Sequence, residues 1–340
     1  MVASLEPAVD WRTVRQGFDR GVGWALENVG GLSPDARLAV LAGLLLADPE
    51  KAETARGILR SRREIRLSTV GKVLDVLTLG GVGRRLRKRR SEADAFFVLI
   101  EDDPSPLVQT DLDSVRYVPA SLPESPEDLH RIDGERTNAA LVQASLGRLE
   151  EPVLSWLRRE DCWGYDLAHQ LLAWIVCHKT RHREDEARER AGRLAWRLFF
   201  EVEHGPRSVH YDLFAERIAF LLLAGFPPEH LARQLLYILA SQDPGDGGWW
   251  FTQMPVDQAR LLENAHLGSS PMIRPSKSYR DQADPDAARR RLEILHRGHS
   301  TGLSLWALSL WLREAPALPD QGFSVEIPAP LAVPDRDSQS

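Results

Sequence analysis

The stretch Tyr211 to Trp250, YDLFAERIAFLLLAGFPPEHLARQLLYILASQDPGDGGWW, leaves its part of the chain few ways to fold. Phe214, Ile218, Leu221 and Leu222 recur at helical spacing, and Pro227-Pro228 forbids continuation of that helix. A second helix is expected from near Glu229, with Leu231, Leu235, Ile238 and Leu239 on one stripe, until Gly245 stops the pattern. The product is an αα-hairpin that exits through a glycine-rich elbow and two tryptophans.

The same unit occurs earlier. Tyr165-Asp166-Leu167 returns 46 residues later as Tyr211-Asp212-Leu213, and the match carries Gln170 onto Glu216, Ala173 onto Ala219 and Trp174 onto Phe220. A period of that size belongs to stacked helical repeats. Such units cannot bury an apolar face alone and must pack side by side.

Helical pattern also fills the N-terminal part. One helix is expected over Trp11 to Asn28, ending at Gly30-Gly31. A second opens with Ser33 as cap and Pro34 in its first turn, stops at Asp48-Pro49, and a third follows from Glu50. Between residues 60 and 90 eleven basic residues face only Glu64 and Asp75, a net of +9 in a chain of net charge -6. That segment suits an anionic partner or a solvated face, and without a nucleic-acid module the chain is not expected to bind nucleic acid. Residues 101–134 form an acidic, proline-rich connector.

Beyond it, 141–149 and 153–159 read as one long helix bent at Pro152. Helices are then expected over 163–177, from Ala187 to Val202, and over 298–312. Residues 252–297 read as an insertion and 315–340 as a mobile proline-rich tail. The expected organisation is a helical N-terminal unit (1–100), the connector, and a helical domain over 135–314. The chain reads as all-α.

Class boundaries follow from composition. With 43% hydrophobic and 27% charged residues this is an ordinary globular chain. The apolar run Leu38 to Ala47 falls short of the roughly 20 residues that span a bilayer, so no transmembrane segment is expected. Two cysteines, Cys162 and Cys177, fit reduced thiols in a cytoplasmic protein better than a disulfide framework.

The elbow carries a resemblance. Tyr237-Ile-Leu-Ala-Ser-Gln242 followed by Gly247-Gly248-Trp249 resembles the QW-type repeat of squalene cyclases. His299-Ser-Thr-Gly-Leu303-Ser-Leu-Trp-Ala-Leu308 is similar to the inner helix that follows such repeats in terpenoid cyclases and protein prenyltransferases. The likeness covers about 137–314. It implies a partial or complete (α/α) toroid whose inner helices line a central cavity and whose outer helices wrap them. Gln242 and Trp249 would then tie neighbouring hairpins together. The Asp-x-Asp-Asp acid motif of class II cyclases is absent, as is the Asp-x-Cys pair of the prenyltransferase zinc site. The resemblance therefore bears on fold more than on reaction.

Polar residues at the starts of the presumed inner helices are the candidate catalytic groups: Asp166, His169, Asp212, Glu216 and His299. Trp163, Tyr165, Gln170, His210, Tyr211, Trp249 and Trp250 are candidate ligand-binding residues beside them. Carboxylates desolvated by aromatic neighbours have raised pKa values and serve as general acids. The structural alternative is that Asp166 and Asp212 cap their helices and that the tryptophans are core wedges. No metal is expected, because His178 and His182 stand among Lys179, Arg181 and Arg183, and His296 with His299 lacks a third ligand. No phosphate loop or nucleophile elbow is present, and no cofactor is expected. The leading expectation is a toroid binding an apolar or amphipathic small molecule. The rival is a non-catalytic scaffold for a protein segment.

Overall fold

The computed structural model describes residues 9–28, 31, 32, 34–47, 107, 134–205, 211–250 and 285–314. Among them the secondary structure is helical without a strand, as the periodicity predicts. The helices are α1 (Trp11–Glu27), α2 (Pro34–Ala47), α3 (Gly134–Ser145), α4 (Glu151–Leu157), α5 (Gly164–Lys179), α6 (Glu184–His204), α7 (Tyr211–Leu223), α8 (Ala232–Ala240) and α9 (Pro285–Glu314). A 3₁₀ turn, Pro228–Leu231, leads into α8.

Several boundaries differ from the sequence reading. Residues 141–149 and 153–159 do not form one bent helix. α3 ends before Gly147, which adopts φ +66°, and Pro152 lies in the first turn of a separate α4. A left-handed glycine ends a helix cheaply, and proline is tolerated where no intrahelical N–H is needed. α6 begins earlier than its apolar stripe, because Glu184, Asp185 and Glu186 fill its first turn and complement the helix dipole. α9 begins at Pro285, so residues 285–297 of the expected insertion are helix. The connector, the basic segment 60–90, residues 251–284 and the tail lie outside the described residues, apart from Leu107.

α5, α7 and α9 pack in that order, with α7 between the other two, and α6 packs against both α5 and α7. α1 and α2 pack against α9, and their buried residues Val14, Phe18, Ala36 and Val40 belong to the same core as Trp174, Phe226, Trp249 and Trp306. Small residues permit the α2–α9 contact. A Cβ on Gly302 would stand 2.9 Å from the Ala36 carbonyl oxygen, and one on Gly43 would stand 3.1 Å from that of Leu305. Gly302→Ala should therefore push two backbones apart and cost about 1–3 kcal/mol, seen as a lower urea midpoint at unchanged slope. An unchanged midpoint would show that α2 sits farther from α9.

The elbow between α8 and its exit closes on itself. Gln242 and Trp249 form an isolated antiparallel bridge, and the Asp243 N–H donates to the Gly248 carbonyl at 2.9 Å. Gly247, at φ +84°, lies where a Cβ would meet the Arg20 backbone at 2.9 Å. The Gln242 amide donates to the carbonyls of Gly17 (2.8 Å) and Gly247 (2.7 Å) and accepts from Arg20 at 2.5 Å. The Trp249 indole donates to the Ile238 carbonyl at 2.7 Å, and its backbone N–H donates to Thr301 Oγ1 at 3.0 Å. The motif thus joins α8 to α1 and α9.

Candidate functional site

The 46-residue recurrence places equivalent helix starts next to each other, at the beginnings of α5 and α7. Residues one turn apart on a helix share a face, so Tyr165 and His169 on α5 meet Asp212 and Glu216 on α7. His299 on α9 joins from the other flank. The Tyr165 hydroxyl donates to Asp212 Oδ2 at 2.8 Å, and His299 Nε2 lies 3.9 Å from the same oxygen. His169 Nε2 lies 3.3 Å from Glu216 Oε1. His169 Nδ1 is 2.7 Å from the Tyr165 carbonyl oxygen. A carbonyl can only accept, so Nδ1 carries the hydrogen and orients the ring.

Burial divides this group into an inner and an outer part. The Asp212 and Glu216 side chains are 0% and 5% exposed, whereas those of His169 and His299 are 16% and 25% exposed. The imidazoles therefore stand between the carboxylates and solvent. Asp212 Oδ1 and Glu216 Oε1 receive no hydrogen bond. A buried acceptor without a donor is costly, and such groups call for a catalytic role, a water or an ion. Desolvation raises the Glu216 carboxyl above its ordinary value of 4.5, opposed by the nearby His169 and His299. Burial, followed by the charges of Asp212 and Glu216, also pushes the Tyr165 hydroxyl well up, so it remains a donor.

Behind this group lies an ion pair that periodicity does not reveal. Arg217 Nη2 is 2.9 Å from Glu201 Oε1 on α6, and both side chains are buried. Glu201 Oε2 also accepts the Gly164 N–H at 3.0 Å, which secures the start of α5. A lone glutamate on the otherwise apolar run Leu198 to Val202 is the sequence signal for it.

The remaining candidates separate from the group. Asp166 is half-buried in the first turn of α5, where acids favour the helix dipole. The Gln170 amide donates to the Trp156 carbonyl at 2.7 Å and so joins α5 to α4. Trp163 lies under the Arg197 guanidinium, with 5.2 Å from its carbon to the ring centroid. Trp249 is a fully buried wedge. Trp250 covers Arg297, which is itself stacked on Trp24 and paired with Asp246 at 2.5 Å. His210 lies outside the described residues, and Tyr211 is described only as the first residue of α7.

Other chemistry is limited. Cys162 and Cys177 are free, buried thiols pushed up to about 11 and about 12 by desolvation. No group of three metal-ligating side chains converges among the described residues. A small pocket of about 10 Å³, with Leu157, Glu160, Arg190 and Arg193 in its wall, has room for about one water. None of the candidate residues lines it. Among the described residues, no helix is long and apolar enough to cross a membrane.

The chain matches no protein-family model, no curated protein and no solved structure. The terpenoid-cyclase likeness of the elbow rests on the residues that carry it.

Proposed function

We propose that this chain is an α/α toroid of the terpenoid-cyclase kind that binds an apolar or amphipathic small molecule. The binding site is the end of the helix layer where Tyr165, His169, Asp212, Glu216 and His299 meet. The order α5–α7–α9, with α6 packed against both α5 and α7, supports the toroid part of this reading. One observation carries the site. Two buried carboxylates, each with an oxygen that receives no hydrogen bond, lie beside two partly exposed imidazoles.

That arrangement suits proton transfer. An imidazole backed by a buried carboxylate is held in one orientation and is stabilised as it gains a proton. Glu216, held towards its protonated form by burial, is the acid of the group. The Tyr165 hydroxyl fixes the Asp212 carboxylate. His169 and His299 are the ring nitrogens placed to contact a molecule bound at this end.

Extraction of the purified full-length chain, followed by mass spectrometry, tests the reading. A small apolar or amphipathic molecule should be recovered from the native protein, and its recovery should fall at least tenfold in Asp212→Asn. Recovery of a peptide instead would favour the scaffold alternative. A molecule retained equally by the variant would place the binding site elsewhere.

A further inference from the structure

Resting on that reading of the site, the balance of donors and acceptors goes further and assigns the polar end of the ligand. The Glu201 and Arg217 charges offset each other at 2.9 Å, while Arg217 Nε and Nη2 make no hydrogen bond. The group in front of them is rich in acceptors. Asp212 Oδ1 and Glu216 Oε1 receive no hydrogen bond. His169 spends its Nδ1–H on the Tyr165 carbonyl. A neutral His169 therefore turns the lone pair of Nε2 towards Glu216 Oε1, 3.3 Å away. Two acceptors facing each other at that distance need a proton on one of them or a donor reaching both from the side. The His299 ring, 3.9 Å from Asp212 Oδ2, flanks the same acids from α9.

We propose that this site takes an ammonium group, the charged end of an alkyl amine. An ammonium brings one positive charge and several N–H donors, and it accepts nothing. Its donors match Asp212 Oδ1, Glu216 Oε1 and His169 Nε2 in kind, and its charge offsets that of an ionised acid. A hydroxyl brings one donor and no charge. A carboxylate brings only acceptors and meets two buried acids. Charge-assisted hydrogen bonds are roughly twice as strong as neutral ones, so the ranking should be amine, then alcohol, with the carboxylate last. Two aromatic rings neighbour the group: Tyr165 lies 6.2 Å from the His169 ring in a tilted orientation and Phe220 lies 6.1 Å from it edge-on.

Titration calorimetry of the full chain with n-octylamine, n-octanol and n-octanoate, at a pH near 7.5, tests this. The three probes share one tail and differ in donor count and charge. Octylamine should bind at least tenfold tighter than octanol, and octanoate weakest. In Asp212→Asn, checked for folding by its melting transition, the amine preference should shrink to within about threefold. That comparison removes one charge at nearly constant shape. Octanol binding as tightly as octylamine would overturn the ammonium assignment while leaving the site itself standing. It would mean that the histidines supply the missing protons. Tightest binding by octanoate would overturn it equally. Should none of the three bind, the site and its ligand class fall together. An amine preference that survives Asp212→Asn would place the ammonium elsewhere and overturn the assignment.

Discussion

Replacing Arg217 with Met is expected to destabilise the fold by about 3–5 kcal/mol, the usual cost of leaving one member of a buried ion pair uncompensated. Arg217 and Glu201 meet at 2.9 Å with side-chain exposures of 2% and 0%. Without the guanidinium, the Glu201 carboxylate would have to ionise in an apolar interior or take up a proton. Either outcome also disturbs its second duty of holding the Gly164 N–H. The start of α5 would loosen, and Tyr165 with it. The double variant Arg217→Met with Glu201→Gln should recover much of the loss, because no unpaired charge remains. Urea unfolding of the two single variants and the double variant measures the coupling. Additive losses, or a single-variant cost below about 1 kcal/mol, would mean the pair is hydrated and contributes as little as a surface pair.

The fold was legible wherever apolar residues recur along one helix face. α1, α2, α5 and α7 start and stop within about two residues of where spacing and breakers put them. Three features were hidden, each for a physical reason. The early start of α6 depends on three acids and the helix dipole, which apolar periodicity does not register. The first turns of α9 are charged, Asp286 to Arg291, and so resemble an insertion. The seating of α2 on α9 depends on glycines and alanines that pack closely but carry no signal of which helix they face.

The grouping of the candidate residues was legible for a different reason. Repetition of Tyr-Asp-Leu put Tyr165 and Asp212 at matching helix starts, so their meeting at 2.8 Å follows from stacking the two copies. Glu216 and His169 follow one turn further on. The Arg217–Glu201 pair joins helices whose contact no repeat specifies, and only the distance reveals it. Gln170 shows the converse. It occupies the position equivalent to Glu216, yet its amide is turned to the Trp156 carbonyl and serves packing.

Glu216→Gln is expected to stabilise the protein above neutral pH while it weakens ligand binding at least tenfold. Asp212 and Glu216 stand one turn apart on α7 and are both buried, so ionising the second adds a repulsion to the cost of desolvation. Desolvation is the larger cause and raises the Glu216 carboxyl above 4.5; the imidazoles of His169 and His299 work against it. In the folded protein Glu216 therefore keeps its proton to a higher pH than in the unfolded chain. Between the unfolded and folded values the native state binds more protons, so stability falls as pH rises through that window and levels off above it. Each unit of difference amounts to about 1.4 kcal/mol. Glutamine has nearly the same shape and cannot ionise, so it removes this loss. The variant should come close to the native protein at pH 4, where Glu216 is mostly protonated in both states, and melt higher at pH 8. Binding should fall because the amide places an N–H or a neutral oxygen where the ligand met a titrating acid. Melting curves at both pH values and a binding isotherm at pH 7.5 decide the matter. A variant that binds normally and melts lower at pH 8 would make Glu216 the ion-pair partner of a charged His169, with a structural role on this face of α7 and no role in binding.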